Sequence, residues 1–255
     1  MLEKDELIKE AENAINWIHS YVENSGAKGV VIGNSGGKDS ATVIAMATRA
    51  LGKYRVLTVA MPCNSIKKDL EDAKLVSNTF DVPFIEVDLT KTYKEMEKSI
   101  NNSIDDYSKE LSNESQINIK PRLRMATLYG IAQTYGYLVC GTGNLCERMV
   151  GYTTKWGDSA SDFNPIANFT VDEVLAIGEY LGVPKKIIKK APNDGLGGKT
   201  DEEKMGVTYK QIAEYIETGK TDKDAMVIID RMNNNSKHKR EEIPTYKFER
   251  KIFLS

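Results

Sequence analysis

Cysteine is scarce in this 255-residue chain. Three thiols, Cys63, Cys140 and Cys146, are too few for a disulfide framework, and their spacing follows no common zinc pattern, so buried or incidental thiols are expected. An excess of charge is also missing. Lys and Arg number 35 against 37 Asp and Glu, a formal net charge of -2, which offers no global positive field to hold a polyanion and disfavours a dedicated nucleic-acid binder. Long apolar runs are absent: Val30–Ile32 and Val43–Ala47 fall far short of the ~20 residues a membrane span needs. The opening MLEKDELIKEAENAINWIHSYVE lacks the basic start and apolar stretch of a secretory signal, so a cytoplasmic protein is expected. Repeats, low-complexity tracts and linkers rich in Pro, Gly and Ser are lacking too, which points to one domain over residues 1–255.

With 40% hydrophobic and 28% charged residues, the chain can bury a full core. Leu7, Ile8, Ala11, Ala14, Ile15, Ile18 and Val22 recur at helical spacing, predicting an amphipathic helix over residues 3–24. Strands are expected at Lys28–Gly33, Tyr54–Met61, Pro83–Leu89 and Tyr137–Gly141. Helices are expected at Asp39–Leu51, Lys67–Phe80 and Arg122–Tyr135, with a long helical or irregular stretch reaching about Ser115. Strands alternating with helices imply right-handed crossovers and a doubly wound parallel sheet, hence an α/β fold. Beyond Gly141 the strand signal fades, and helices at Thr170–Leu181, Lys185–Lys190, Thr208–Glu217 and Lys223–Asn233 suggest a helical cap.

In such a sheet, ligands gather at the carboxyl ends of the strands, where the first turn offers free N–H groups at a helix N-terminus. That turn is Gly33-Asn34-Ser35-Gly36-Gly37-Lys38-Asp39-Ser40. Its glycines admit an anion closely, Ser35 and Ser40 add hydroxyl donors, and the helix dipole favours negative charge, so phosphate is the natural guest. It is not a Walker A loop. That motif needs four residues between its glycines, whereas Gly33 and Gly37 enclose three, and Asp39 stands where the metal-binding hydroxyl belongs. Gly141-Thr142-Gly143-Asn144-Leu145-Cys146 opens like a dinucleotide fingerprint but lacks the third glycine. The bland alternative for the turn is a helix cap with Asp39 near the N-terminus. A carboxylate beside phosphates makes chemical sense when a cation lies between them.

Ser35-Gly36-Gly37-Lys38-Asp39-Ser40 resembles the SGGxDS signature of the PP-loop ATP pyrophosphatases, which split ATP between its α and β phosphates. Gly141-Thr142-Gly143-Asn144-Leu145-Cys146-Glu147, then Gly151-Tyr152-Thr153-Thr154-Lys155-Trp156-Gly157-Asp158, then Asp162-Phe163-Asn164-Pro165 narrow the choice. They resemble the NAD synthetase patterns G-T-x-N/H-x-x-E, G-[FY]-x-T-K-[YW]-G-D and D-x-N-P. Asn118–Met125, Asp201-Glu202, Met205-Gly206 and His238-Lys239-Arg240 follow in that family's order. The resemblance implies a Rossmann-like adenine nucleotide alpha hydrolase fold with a helical C-terminal cap. It also implies ATP-dependent amidation of deamido-NAD with ammonia, giving NAD, AMP and pyrophosphate through an adenylate.

Carried over by position, the resemblance implies ATP contacts from Gly33, Asn34, Ser35, Gly36, Gly37, Lys38, Asp39, Ser40 and Thr142, with Mg²⁺ on Asp39 and Glu147. Arg122, Lys155, Asp162, His238 and Lys239 would hold deamido-NAD, with Arg124 and Tyr129 as further candidates. Asp39, Glu147 and Lys155 would carry catalysis. A homodimer is implied, and free ammonia is expected as nitrogen donor because no room for a glutamine amidase domain exists before residue 28. Trp156 and Tyr152 are read as packing residues, and Asp158 or Asp162 as acceptor of a proton from ammonium. Asn193–Lys199 and the 90–118 stretch are candidate covers. Three positions depart from the family pattern: Ala60 stands where an Arg is common, Val171 where an ATP-binding lysine is common, and Asn193 where Thr or Ser is common. Lys155, Lys38 or a residue of the 185–190 basic run could replace that lysine. Two other readings use the same sheet: an RNA-modifying PP-loop enzyme, and a silent ATP sensor.

Overall fold

The computed structural model describes residues 2–64, 66–190, 200–246 and 248. Helix α1 (Lys4–Ser25) forms on the expected stripe, burying Leu7, Ala11, Ile15, Ile18 and Val22, and stops at Gly26, whose φ of 72° only glycine adopts freely. The four short strands β1 (Val30–Gly33), β2 (Val56–Ala60), β3 (Phe84–Glu86) and β4 (Leu138–Cys140) pair in parallel in the order β3-β2-β1-β4. Val31 aligns with Leu57 on one side and Val139 on the other, so the centre of the sheet is apolar on both neighbours. The chain winds outward from β1 to β3 and then returns to the far side of β1. The gap between the ends of β1 and β4 is therefore a topological switch point, where α/β sheets place their ligands.

Crossover helices α2 (Lys38–Leu51) and α3 (Lys67–Thr79) share one face with α1, α7 (Val171–Tyr180) and α8 (Lys185–Ile188), around fully buried Ile18, Ile32, Ile44 and Ile177. Each such side chain stabilises the fold by ~1.5–3 kcal/mol. The opposite face packs Val31, Leu57, Val59 and Val139 against Tyr93 of α4 (Thr90–Ile104) and Ile119 and Ala132 of α5 (Asn113–Tyr135). A third apolar cluster, with Cys146, Val150, Ile212 and Ile229, joins α6 (Leu145–Val150) to α9 (Asp201–Met205), α10 (Tyr209–Thr218) and α11 (Lys223–Asn235). That is the expected helical cap.

Two expectations change. Helix α5 starts at Asn113 rather than Arg122, because Ser112 caps it by accepting from Ser115 N at 3.2 Å, and Pro121 sits buried inside the helix. A proline normally marks a helix start, but a well-packed helix tolerates the lost N–H. Trp156 is exposed at 53%, not packed, and Lys155 Nζ lies 5.4 Å from its ring centroid. Its φ of 62° belongs to a turn that points the ring outward. Tyr152 does border the cap cluster, as expected. The 90–118 stretch is helical in α4 and α5, and Asn193–Lys199 lies outside the described residues. Cys63, Cys140 and Cys146 are all buried thiols. Among the described residues, no helix is long and apolar enough to cross a membrane.

Candidate active site

The loop after β1 is held by its own side chains before any ligand is considered. Asn34, 3% exposed, donates Nδ2 to Ala73 O at 2.9 Å and accepts Gly36 N on Oδ1 at 3.0 Å, so the loop is tied to α3. Ser35 Oγ accepts Gly37 N at 3.2 Å and lies 3.1 Å from Ser40 Oγ. Gly36 needs its φ of 69°, and a Cβ there would sit 2.6 Å from Asp69 O. The first-turn amides of α2 have no partners within their own helix, which leaves them to an anion.

Asn144 links this loop to the end of β4. It is fully buried, caps α6 by accepting Glu147 N at 3.0 Å, and its own N–H donates to Glu147 Oε2 at 3.0 Å, a reciprocal capping box. Its Nδ2 also donates to Asp39 Oδ1 at 3.2 Å. Two carboxylates from chain segments more than a hundred residues apart thus meet one residue, Asp39 at the Asn144 side chain and Glu147 at its backbone N–H. Burial, and then the charge of Asp39, hold the Glu147 carboxyl well above the usual carboxylate range. Lys38, only 7% exposed, donates Nζ to Asp39 Oδ2 at 3.0 Å.

Lys38, Asp39 and Glu147 line a cleft of about 550 Å³ together with Thr142, Arg124, Lys190, Asp201 and Lys239. Its far wall is α5, through Glu114, Asn118, Pro121, Met125 and Leu128 at helical spacing. Lys239 Nζ donates to Gly151 O at 2.8 Å and Thr153 O at 2.6 Å, and burial lowers its pKa. Arg124 Nε donates to Met61 O at 3.2 Å, beside Ala60. Val171 is buried in the cap cluster, whereas Lys38 and Lys190 reach the cleft; Lys190 Nζ bonds Asp69 Oδ1 at 2.8 Å and Gly36 O at 3.3 Å.

The remaining expected residues stand outside that lining in two groups. Arg122 Nε donates to Lys155 O at 3.3 Å and Lys155 Nζ to His238 O at 2.7 Å, forming one chain. Tyr129 Oη donates to Asp162 Oδ1 at 3.2 Å, while Asp162 Oδ2 accepts Val139 N at 2.7 Å. Burial first, and Asp162 second, push the Tyr129 phenol up to about 12. Asp158 lines the cleft and accepts Thr154 N at 2.8 Å. Sequence reasoning places Asn144 and Asp201 within motifs without giving them roles, and it misses Tyr209. The signal for Asn144 is available, since Asn-x-x-Glu before an apolar run is a capping box.

Among the described residues, no group of three or more His, Cys, Asp and Glu could hold an ion alone. Two carboxylates are nonetheless what Mg²⁺ takes from protein when phosphates and water complete its shell. The repulsion between the carboxylates at Glu147 and the buried Tyr209 hydroxyl, without a hydrogen-bond partner among the described residues, fit a cation and a polar ligand here.

A glycine-rich loop after β1, opposite paired carboxylates at the switch point of a parallel sheet, defines an α/β fold of the PP-loop ATP pyrophosphatase type. Comparison with known proteins agrees. Residues 10–247 match the family model for NAD synthase. The NH(3)-dependent NAD(+) synthetase of Carboxydothermus hydrogenoformans is 41% identical over 239 residues, covering 92% of this chain and 97% of that protein. Among solved structures, an NMN synthetase from Francisella tularensis superposes with a TM-score of 0.89 at 32% identity, covering 97% of this chain and 100% of that one. An NH3-dependent NAD synthetase from Campylobacter jejuni gives 0.73 at 28% identity, covering 94% and 99%. The chain belongs to the NAD synthase family, ligases of NAD biosynthesis.

Asn144→Ala is expected to loosen both acidic residues at once. The lost cap destabilises α6 by ~1 kcal/mol, and turnover drops ~10–100-fold, as when a residue that orients metal ligands is removed. Thermal melting and a pyrophosphate-release assay check the two halves; unchanged turnover would show that Asp39 and Glu147 hold their places without it.

Proposed function

We propose that this chain, acting over residues 1–255 as one NAD synthetase unit, converts the nicotinate carboxylate of deamido-NAD to the carboxamide with ATP and ammonia. The observation that carries this is the convergence of Asp39 and Glu147 on Asn144 beside the Ser35–Ser40 loop. The carboxylate oxygen attacks the α phosphorus, the bond to the bridging oxygen breaks, and pyrophosphate leaves. Ammonia then attacks the acyl carbon, AMP leaves with the bonding electrons, and the nitrogen gives up a proton.

The chain's part is placement and charge control. Loop amides and the hydroxyls of Ser35 and Ser40 hold the departing pyrophosphate, and Thr142 faces it across the switch point. Asp39 and Glu147 would hold Mg²⁺, which when bound neutralises phosphate charge. A cleft of about 550 Å³ suits one nucleotide rather than ATP and a dinucleotide together. Arg122, Lys155 and His238, with Tyr129 and Asp162, therefore serve deamido-NAD from the rim, an arrangement that suits a homodimer whose second copy completes the site. Lys239, Arg124 and Lys155 offer cations for its phosphates. Three buried thiols suit a reducing compartment such as the cytoplasm.

One observation favours a second reading: the superposition on the NMN synthetase is closer, 0.89 against 0.73, than on the Campylobacter NAD synthetase. In that reading the acid is a nicotinate mononucleotide. Purified protein given ATP, Mg²⁺ and ammonium, with deamido-NAD or nicotinate mononucleotide in separate reactions, decides. Equimolar AMP and NAD, with the dinucleotide preferred by kcat/KM, is the expected result; preference for the mononucleotide establishes the second reading, and AMP without either amide overturns both.

A further inference from the structure

Lys38 stands where a lysine is locally disfavoured. It opens α2, at the positive end of the helix dipole, and it is 7% exposed although lysine is rarely buried without a partner. Burial works against its charge, but the contact with Asp39, and then the charges of Glu147 and Asp201, outweigh it and raise the Lys38 pKa. The ammonium also lies 5.5 Å from the centroid of the Tyr209 ring.

Both oxygens of Asp39 are engaged. Oδ1 accepts from Asn144 Nδ2 at 3.2 Å and Oδ2 from Lys38 Nζ at 3.0 Å. Each oxygen keeps a second lone pair, so a metal ion need not evict a donor, but an ammonium 3.0 Å from Asp39 Oδ2 repels a divalent cation on the same carboxylate. Asn144 is fully buried and locked by its capping box, whereas Lys38 is a point charge on a flexible stem. Lys38 is the one that yields.

We propose that Lys38 is an internal competitor of the divalent cation for the Asp39 carboxylate: it weakens capture of free metal and passes its ammonium to the phosphates when metal arrives bound to ATP. This makes it a positioning residue that favours the metal–nucleotide complex over bare metal. It rests on the reading that Asp39 and Glu147 are the metal ligands.

Mn²⁺ binding followed by electron paramagnetic resonance tests this without turnover, using wild type, Lys38→Met, Lys38→Gln and Glu147→Gln. Each is titrated with Mn²⁺ alone and with Mn²⁺ plus α,β-methylene-ATP, after circular dichroism has confirmed folding. Removing a cation one contact from the carboxylate is expected to tighten Mn²⁺ binding without nucleotide by ~10-fold or more in both Lys38 variants. That gain should disappear with the ATP analogue, because the phosphates then lose the ammonium. Equal Mn²⁺ affinity of wild type and Lys38 variants without nucleotide, with Glu147→Gln still weakening the nucleotide-bound ion, overturns the competitor role and leaves the metal site standing. If Glu147→Gln leaves the nucleotide-bound Mn²⁺ unaffected, the metal reading itself fails and the competitor role falls with it.

Discussion

Glu147→Gln is expected to lower pyrophosphate release by ~10³-fold or more, the scale on which removal of transition-state charge stabilisation acts, and yet to stabilise the metal-free protein. Loss of activity follows if the proposed pair of acids holds the metal: with one carboxylate neutral, the site would not hold a divalent cation against ATP. Asp39→Ala should share that loss, and near-normal turnover of either variant would refute the metal role. The gain in stability follows from linkage. Glu147 has its folded pKa raised, through burial and the facing charge of Asp39, so the sign is opposite to that of a salt-bridged carboxylate. Its contribution is favourable below the unfolded value of ~4.3 and is lost as pH rises through the higher folded value. At alkaline pH the charged side chain is a burden that glutamine does not carry, worth at least ~1 kcal/mol. Glutamine also keeps an oxygen for the Asn144 N–H, so the capping box survives. Melting curves of metal-free wild type and Glu147→Gln should therefore separate at pH 8 and converge near pH 4. Coincident curves at both values would mean that Glu147 is not electrostatically strained.

The same pair shows how far sequence reading reaches. Gly33–Ser40 was legible because its spacing, its glycines and its position after an apolar run are all local facts, and the structure sets it at the start of α2 as expected. Alternation of apolar runs with helical stripes likewise gave the parallel sheet and the cap. The links between distant segments were not legible. Asn144 reaching Asp39, Lys190 reaching Gly36 O and Tyr209 facing Lys38 depend on how the cap docks on the sheet, and no period in the chain encodes that. The start of α5 was missed as well. The sequence points to Arg122 and the helix begins at Asn113, nine residues earlier, because Ser112 supplies the cap and Pro121 is buried inside the helix. Local rules failed where residues serve the cleft: Pro121 lines it, and Lys38 sits in it against the helix dipole.

Gly36→Ala is the second large effect, and it acts through backbone geometry alone. Gly36 carries a φ of 69°, which costs an alanine ~1 kcal/mol even in open space. Space is not open: the new Cβ would lie 2.6 Å from Asp69 O, 2.8 Å from Ala73 N and 2.9 Å from Asp72 Cβ. Two of those atoms are backbone of the first turns of α3, and they cannot swing aside as a side-chain tip would. Lys190 holds this corner closed, bonding Gly36 O and Asp69, while Asp72, 1% exposed, pairs with Lys186 and Lys190. The loop must therefore separate from α3, breaking the Asn34 bonds to Ala73 O and Ser77 Oγ. A total destabilisation of ~2–4 kcal/mol is expected. Displacing the N–H groups proposed to hold the phosphates by even ~1 Å is expected to cost ~100-fold in turnover. Gly219→Ala is the control. Its φ of 69° equals that of Gly36 and lies in the left-handed helical region, but nothing lies within 4 Å of the added Cβ and it is outside the cleft lining. It should lose ~1 kcal/mol of stability and keep its ATP dependence. If Gly36→Ala and Gly219→Ala melt alike and turn over alike, the close approach of the loop to α3 does not govern pyrophosphate binding.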